Sequence, residues 1–457
     1  MRVVEVEKQQ NNKLSLIGDA IYAWQMPCWP VATVNRSLLK DELAAFGVAL
    51  KNAKAFLGRQ QDAEAVARAI VQEAVKTSSI EGVNVDESVV MSSVCRVLGV
   101  AYAPEGFTKD VRAEGVAKMM LAIRNDWSKP LSASLLKRWH KALLTGVSNV
   151  TIGDFRNHKE PMRVIRRLAD GTAEVRYEAP PSDRVGAEIV RFLKMWKAPV
   201  SKPADVALKA AMLHPHFESI HPFEDGNGRV GRALVAKTLA EGLELPLVLP
   251  VSAVIARHRA AYYDEINEAS RSLDWTSWAA FFIPVLTETI EGFVQAVKFI
   301  AAKRAYLGKY ENGFSPRAKK VIARMFEDGE PGVKVGLSVA KWMRMAKVSK
   351  PTATRDLGEL VEAGAIVRYG DGPQTRYILN HSAFTPNDEP IEGINEGIKD
   401  MVLRLVRLHP GRGVPFFRAS VKASRATVER VVATLIASGK VEHRGSKKTG
   451  GYYAVNR

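Results

Sequence analysis

Cysteine is almost missing from this chain of 457 residues: Cys28 and Cys95 are the only two. A pair so far apart builds no disulfide scaffold and has no metal-site spacing, so a reduced, cytosolic compartment is expected. Long apolar runs are lacking too. Stretches such as 278–286 are far too short to span a bilayer core of about 30 Å. The N-terminal stretch, MRVVEVEKQQNNKLS, has no apolar core of the kind a signal peptide carries. Acidic residues are the minority charge: 49 Asp and Glu stand against 66 Lys and Arg, a formal charge of +17. Such a surface suits an acidic partner, nucleic acid before an anionic membrane.

What is present suffices for several cores. Of the residues, 46% are apolar, and the length allows about three domains of roughly 150 residues each. Residues 1–30 read as irregular. From Arg36 to about Leu98 apolar side chains recur three and four apart, as at Leu38, Leu39, Leu43, Phe46 and Leu50, on one stripe of a helix. A second helical run begins near Thr108. Met162 and Val164, the turn pair Asp170-Gly171, then Val175 and Tyr177 predict two short strands about a turn. Helical spacing returns from Ser182 to Ile220 and from Val230 to Ile300. Turn formers cluster at Glu311-Asn312-Gly313, where we place a domain boundary. Beyond it the chain repeats at an offset of 75 residues. Ser349, Thr352, Arg355, Leu360 and Gly364 recur as Ser424, Thr427, Arg430, Leu435 and Gly439, and Ile366 and Tyr377 as Val441 and Tyr452. Each copy reads as helix, turn, helix, glycine stop and two strands, with 387–397 as a linker.

The stretch richest in chemistry is His221-Pro222-Phe223-Glu224-Asp225-Gly226-Asn227-Gly228-Arg229-Val230-Gly231-Arg232. Pro222 disfavours helix at His221, so the preceding helix ends there. Gly226 and Gly228 let the backbone turn its N–H groups toward one point. A helix then starts near Arg229, and donors at a helix N-terminus make an anion site. Arg229 and Arg232 share a face of that helix and can clamp two phosphates. Asp225 is a hard oxygen ligand placed to hold Mg²⁺ against them. His221 is the natural general base. Together these parts suit transfer of a phosphoryl-type group from a nucleotide. Two other readings compete. One is a glycine turn between core helices with a buried histidine. The other is a zinc site from His214, Glu218 and His221 on one helix face; Pro215 and Pro222 interrupt that helix, however, and zinc leaves the glycine loop unexplained.

At every position the stretch matches the Fic signature, His-Pro-Phe-x-Asp/Glu-Gly-Asn-Gly/Lys-Arg, and about residues 20–290 resemble the Fic family. The resemblance implies a helical core in which His221 deprotonates a Ser, Thr or Tyr of a target protein. The hydroxyl attacks the α-phosphate of ATP and pyrophosphate leaves. It also implies Asp225 at Mg²⁺, with Glu224, Gly226, Asn227, Gly228 and Arg229 in the nucleotide site and Arg232 at the γ-phosphate. Gly228, where the kinase-like Doc branch has lysine, sorts the chain with the AMP-transferring branch. The hairpin 162–177 looks like the family's flap, which pins a target segment by strand addition. Tyr262 and Tyr263 resemble the tyrosine pair beside the nucleotide base, or else are two core tyrosines. Thr77-Ser78-Ser79-Ile80-Glu81-Gly82 matches the inhibitory pattern Ser/Thr-x-x-x-Glu-Gly/Asn. A helix ending at Gly82 would present Glu81 to Arg232, neutralise it and leave ATP in a non-productive pose. Trp29-Pro30 and Gly153-Asp154-Phe155-Arg156 resemble bacterial members with an N-terminal helical extension.

Each C-terminal copy has the layout of a winged helix. In the first, 337–346 is the leading helix, 350–363 the recognition helix and 366–379 the wing, turning at Gly370-Asp371-Gly372. In the second, 425–438 is the recognition helix and 444–449 the wing tip. Residues 401–457 hold twelve Lys/Arg against two Asp/Glu, a net charge of +10. That density suits phosphate contacts, although a protein-binding module with a solvated basic face has the same look.

The expected protein is mainly α. It has an N-terminal helical region with the inhibitory helix (1–107) and a Fic-type core with a β-hairpin flap (108–300). Two tandem winged-helix domains follow (314–385 and 397–457). The expected activity is protein adenylyltransfer with ATP and Mg²⁺, braked by Glu81, in the cytoplasm. The expected partners are a protein bearing a hydroxyl and double-stranded DNA, with no membrane and room for a homodimer. The alternatives are a DNA-binding regulator whose core only senses nucleotide, and an enzyme chiefly removing AMP through water oriented by Glu81.

Overall fold

In a computed structural model of the chain, the described residues are 22–380 and 402–455. Left out are 61, 103–108, 168–171, 198–199, 201, 311–312, 328–335 and 370–374 in the first span, and 404–405, 407–410, 412, 415, 418–424 and 446–450 in the second. The expected turns at Asp170-Gly171 and 370–372, the Glu311-Asn312 break, the linker 387–397, and Lys447 and Lys448 lie outside the described residues. The structure is mainly helical and divides into two compact units, 1–301 and 302–457.

The first unit opens with α1 (Lys40–Leu57), α2 (Ala63–Ile80), α3 (Glu87–Leu98), α4 (Val111–Asn125) and α5 (Ala133–Leu143). An antiparallel hairpin follows, β1 (Arg163–Arg167) and β2 (Ala173–Glu178), with an irregularity between Val164 and Ile165. Then come α6 (Ser182–Trp196), α7 (Pro203–Ile220), α8 (Asn227–Leu243), α9 (Val251–Arg257), α10 (Arg259–Ala269) and α11 (Thr276–Lys309). Asp62, Asp86 and Asp110 start α2, α3 and α4 by accepting first-turn N–H groups. One core runs from Ala23 to Ile300 through these helices. Each large side chain fully withdrawn from water there contributes about 1.5–3 kcal/mol.

Helices α7 and α8 are buried almost all round, and α2 is buried except for the stripe of Arg68, Gln72, Lys76 and Ser79. In α2, small residues such as Ala67, Ala69 and Ala74 let neighbours close in, and Glu73, Thr77 and Ser78 are buried with them. In α7 the helix runs straight through Pro215, contrary to the expected interruption. Proline removes the N–H that would bond the carbonyl of Ala211, and the Trp278 indole N–H donates to that carbonyl instead, at 2.6 Å. By length and composition α11 could cross a membrane; its Trp278, Phe282, Ile283, Leu286, Ile290 and Phe293 are buried in the core just described.

In the second unit α12 (Pro316–Glu327), α13 (Val339–Ala346) and α14 (Lys350–Glu362) precede the hairpin β3 (Ile366–Tyr369) and β4 (Arg376–Leu379). Leu337 adds a bridge to Tyr377 at the edge. Buried Asp356 takes two hydrogen bonds from Arg317, at 2.8 and 2.7 Å, and one from Trp342. The sequence repeat is structural. Helix α15 (Arg425–Ala437) ends at Gly439, with φ 66°, as α14 does at Gly364, with φ 68°. Strands β5 (Val441–Arg444) and β6 (Gly451–Ala454) pair Val441 with Ala454, the same register as Ile366 with Leu379.

Candidate active site

The turn between α7 and α8 is built on His221. It caps α7 in the left-handed region, φ 48° and ψ 58°, which β-carbon-bearing residues adopt at a cost. Four sets of bonds hold the turn. Asn227 closes it, its amide donating to the Phe223 carbonyl and accepting from the Phe223 N–H, at 2.7 and 2.9 Å. His140 lies flat on the Phe223 ring, 3.9 Å between centroids. Its Nδ1 accepts from Gly153 N–H, so Nε2 carries the proton and donates to the Asp225 carbonyl. Arg156, 2% exposed, donates through Nε to the His221 carbonyl at 2.7 Å and through Nη2 to Ile220. Glu224 accepts from the N–H and hydroxyl of Thr151, at 2.8 and 2.7 Å.

Helix α8 starts at Asn227, slightly earlier than expected, so its first N–H groups lack intrahelical acceptors. This helix start borders a cavity of about 880 Å³ lined by His221, Asp225, Gly226, Asn227 and Gly228, by Glu81 and Glu218, and by Tyr262 and Tyr263. His221 Nδ1 lies 3.3 Å from the Glu218 carbonyl, which can only accept. The proton therefore sits on Nδ1, and Nε2, buried and without a partner among the described residues, presents a free lone pair. Burial, then the charge of Arg156, pushes the His221 pKa down to about 4. Glu218 moves the other way, up to about 8, through burial and the nearby Glu81.

The two arginines of the turn are already engaged. Arg229 reaches both Asp225 oxygens at 2.8 Å. Arg232, 1% exposed, donates to Glu81 at 2.8 Å and to the hydroxyl and carbonyl of Thr77. Burial opposes its charge, but Glu81 and the two tyrosines outweigh that and hold its proton more tightly than usual. Glu81 caps α2, and Gly82 follows with φ 76°. Gly228 makes room for this pair: a Cβ there would lie 2.2 Å from Glu81 Oε1.

The structure thus gathers His221, Asp225, Gly226, Asn227, Gly228, Glu81, Tyr262 and Tyr263 on one cavity. Sequence reasoning sent Arg229 and Arg232 to phosphates; here each meets a carboxylate first. Asn227 has its side chain on Phe223 and still borders the cavity. Glu224 does not line the cavity, because Thr151 takes its carboxylate. Both tyrosines line the cavity, but in different surroundings. Tyr262 is buried and meets His214 Nε2 at 2.8 Å, whereas Tyr263 is half-buried and donates to the Ile80 carbonyl at the end of α2. The bond to Tyr262 takes up His214 Nε2, and the described residues hold no group of three metal-ligating side chains. Sequence reasoning missed Arg259, which donates to the same Ile80 carbonyl, and His140. No periodicity marks either of them. Thr77 had a signal, as the first position of the inhibitory pattern.

Residues 130–239 match the model of the Fic/DOC family, and residues 22–100 match a domain of unknown function, DUF4172. A probable protein adenylyltransferase of Aquifex aeolicus (strain VF5) is 32% identical over 126 residues, which is 25% of this chain and 34% of that protein. The chain therefore spans about a third of the length of that relative. Among solved structures, a Fic family protein from Desulfovibrio desulfuricans G20 is similar at TM-score 0.45 and 19% identity, over 79% of this chain and 99% of that one. Fic-1 (residues 134–508) from C. elegans is similar at TM-score 0.42 and 19% identity, over 59% and 75%.

Proposed function

We propose that this chain, whose residues 130–239 carry a Fic/DOC domain, is a protein adenylyltransferase that moves AMP from ATP to a Ser, Thr or Tyr hydroxyl of a target protein in the cytoplasm. The observation that carries the reading is the unpartnered Nε2 of a neutral His221, set on the same cavity as the open N-terminus of α8. His221 takes the hydroxyl proton at Nε2. The oxygen bonds to the α-phosphorus, the bond from that phosphorus to the bridging oxygen breaks, and pyrophosphate leaves with the electron pair. The α8 N–H groups, with Arg229 and Arg232, face the charge on the phosphates. Asp225 fits a divalent cation, since it is a hard carboxylate on the cavity wall beside the phosphate donors. Mg²⁺ held there would neutralise phosphate charge.

Glu81 acts as a brake in this reading. Its 2.8 Å pair with Arg232 occupies the arginine that the γ-phosphate needs. The test is incubation with Mg-ATP labelled at the α- or γ-phosphate, followed by mass spectrometry of the chain and of lysate proteins. Label from the α-position alone on protein supports the reading. Transfer of the γ-label points to a kinase. No transfer from Glu81→Gly protein that binds ATP favours the nucleotide-sensing regulator. Faster loss of AMP from pre-modified protein than its addition favours the AMP-removing enzyme.

The two C-terminal copies act, we propose, as winged helices on duplex DNA. Their common helix, glycine stop and hairpin register supports this, as does the +10 charge of residues 401–457. Neutralising Lys447 and Lys448 in the full chain is expected to weaken DNA binding and flatten its salt slope by roughly one per lost phosphate contact. Salt-insensitive or absent binding in anisotropy titrations assigns the modules to protein contacts instead.

A further inference from the structure

Arg156 stands where three pieces of chain meet. Its own segment leads into β1. Its Nη1 and Nη2 hold the segment leaving β2, through the Ser182 hydroxyl at 3.0 Å and the Pro180 carbonyl. Its Nε and Nη2 hold the end of α7, through the carbonyls of His221 and Ile220, and its backbone N–H donates to the Pro222 carbonyl at 2.9 Å. The last carbonyls of a helix have no intrahelical donor, and a cation there also meets the negative end of the helix dipole. A second tie runs parallel: the Tyr177 hydroxyl of β2 donates to the Ser219 carbonyl of α7. Both feet of the hairpin and the backbone of His221 therefore rest on one buried guanidinium.

We infer that Arg156 is a positioning residue that fixes the hairpin relative to the His221 imidazole. Its charge helps keep His221 neutral, but the anchoring is the work of its planar fork, which sets a distance. His221 is held in a left-handed conformation that its own side chain disfavours, so its ring direction depends on what grips its carbonyl. The consequence for turnover rests on the function proposed above, in which the hairpin seats the acceptor. A target hydroxyl and its base are then registered to the same anchor, and a displacement of about 1 Å between them costs on the order of 100-fold in rate. Nucleotide binding is a separate matter, because the donors of α8 are placed by Asn227 and His140.

The experiment compares Arg156→Ala, Arg156→Lys and Ser182→Ala, each in the Glu81→Gly background, with the full chain and Mg-ATP. Arg156→Ala is expected to lower kcat for AMP transfer on the order of 100-fold with ATP affinity unchanged by calorimetry. Hydrogen exchange should speed up in segments 217–227 and 173–182 and not in α4. Arg156→Lys keeps one donor and should recover part of the loss; Ser182→Ala, which loses only the hydrogen bond to Nη1, should cost least. An unchanged kcat, a loss of ATP affinity in step with kcat, or faster exchange spread over the whole first unit overturns the inference. If the Glu81→Gly parent itself transfers nothing, the proposed function fails. Exchange confined to those two segments in Arg156→Ala then still upholds the anchor, and unchanged exchange there refutes it.

Discussion

Arg156, Arg229 and Arg232 in the first unit are each at most 5% exposed and each held by a carboxylate or a carbonyl. In the second unit Lys350, Arg355, Arg430 and Arg444 lie on the surface. The same charge does different work in the two places. A buried cation is anchored by geometry, is little screened by salt, and leaves an uncompensated partner when one side is cut. Exposed cations act as a field, roughly additively and under salt control. One region should therefore answer to single substitutions, the other to charge number and ionic strength.

The sharpest break is expected at His221. Replacing it with Ala should lower AMP transfer ~10²–10⁴-fold, the usual cost of a lost general base, while ATP still binds. Turnover near the parent level would remove His221 from its role. Glu81→Gly should act in the opposite direction. Freeing Arg232 from a charge-assisted bond of about 1.5–3 kcal/mol corresponds to roughly ten- to a hundredfold more AMP incorporated per unit time. Equal or lower incorporation by folded protein refutes the brake. Arg232→Ala should not mimic it, since the γ-phosphate contact goes too.

Asp356 tests the comparison from the other side, as a buried charge in the second unit. Asp356→Ala leaves the Trp342 N–H buried without its acceptor and should lower that unit's stability by about 1–3 kcal/mol, read by calorimetry, with AMP transfer unchanged. Because Arg317 holds the Asp356 pKa below the ordinary value, this contribution is present above the ordinary carboxylate range and is lost as pH falls through the lowered one. The smallest expected effect is on pH. His221 titrates at about 4, so kcat/KM should change little from pH 7 to 5.5. An unshifted imidazole would lose about tenfold at pH 5.5. A loss of that size would show that His221 is not held neutral.

The turn itself was legible because proline, two glycines and the spaced arginines impose its local shape. So were the hairpins and the tandem repeat, whose shared strand register follows from residues matched one for one. The partners were not legible. Arg232 meets Glu81 and Thr77 from a helix far earlier in the chain, and Glu224 finds Thr151 across another long separation; no local period encodes either. Pro215 misled for a similar reason. The indole N–H that donates to the orphaned Ala211 carbonyl comes from α11, so a residue that usually breaks a helix is tolerated through a distant donor.

The burial of one whole side of α2 bears on how the proposed brake could be lost or inherited. Glu81 ends a helix that is itself core, with Glu73 bonded to Ser252 and Thr77 to Arg232. A protease that trimmed the chain to this point would take a structural wall with it, so cleavage is no route to a hyperactive fragment. Natural or engineered escape should therefore be confined to point changes at the last turn of α2, and a lineage that discarded the whole helix would have had to rebuild the surface beneath it.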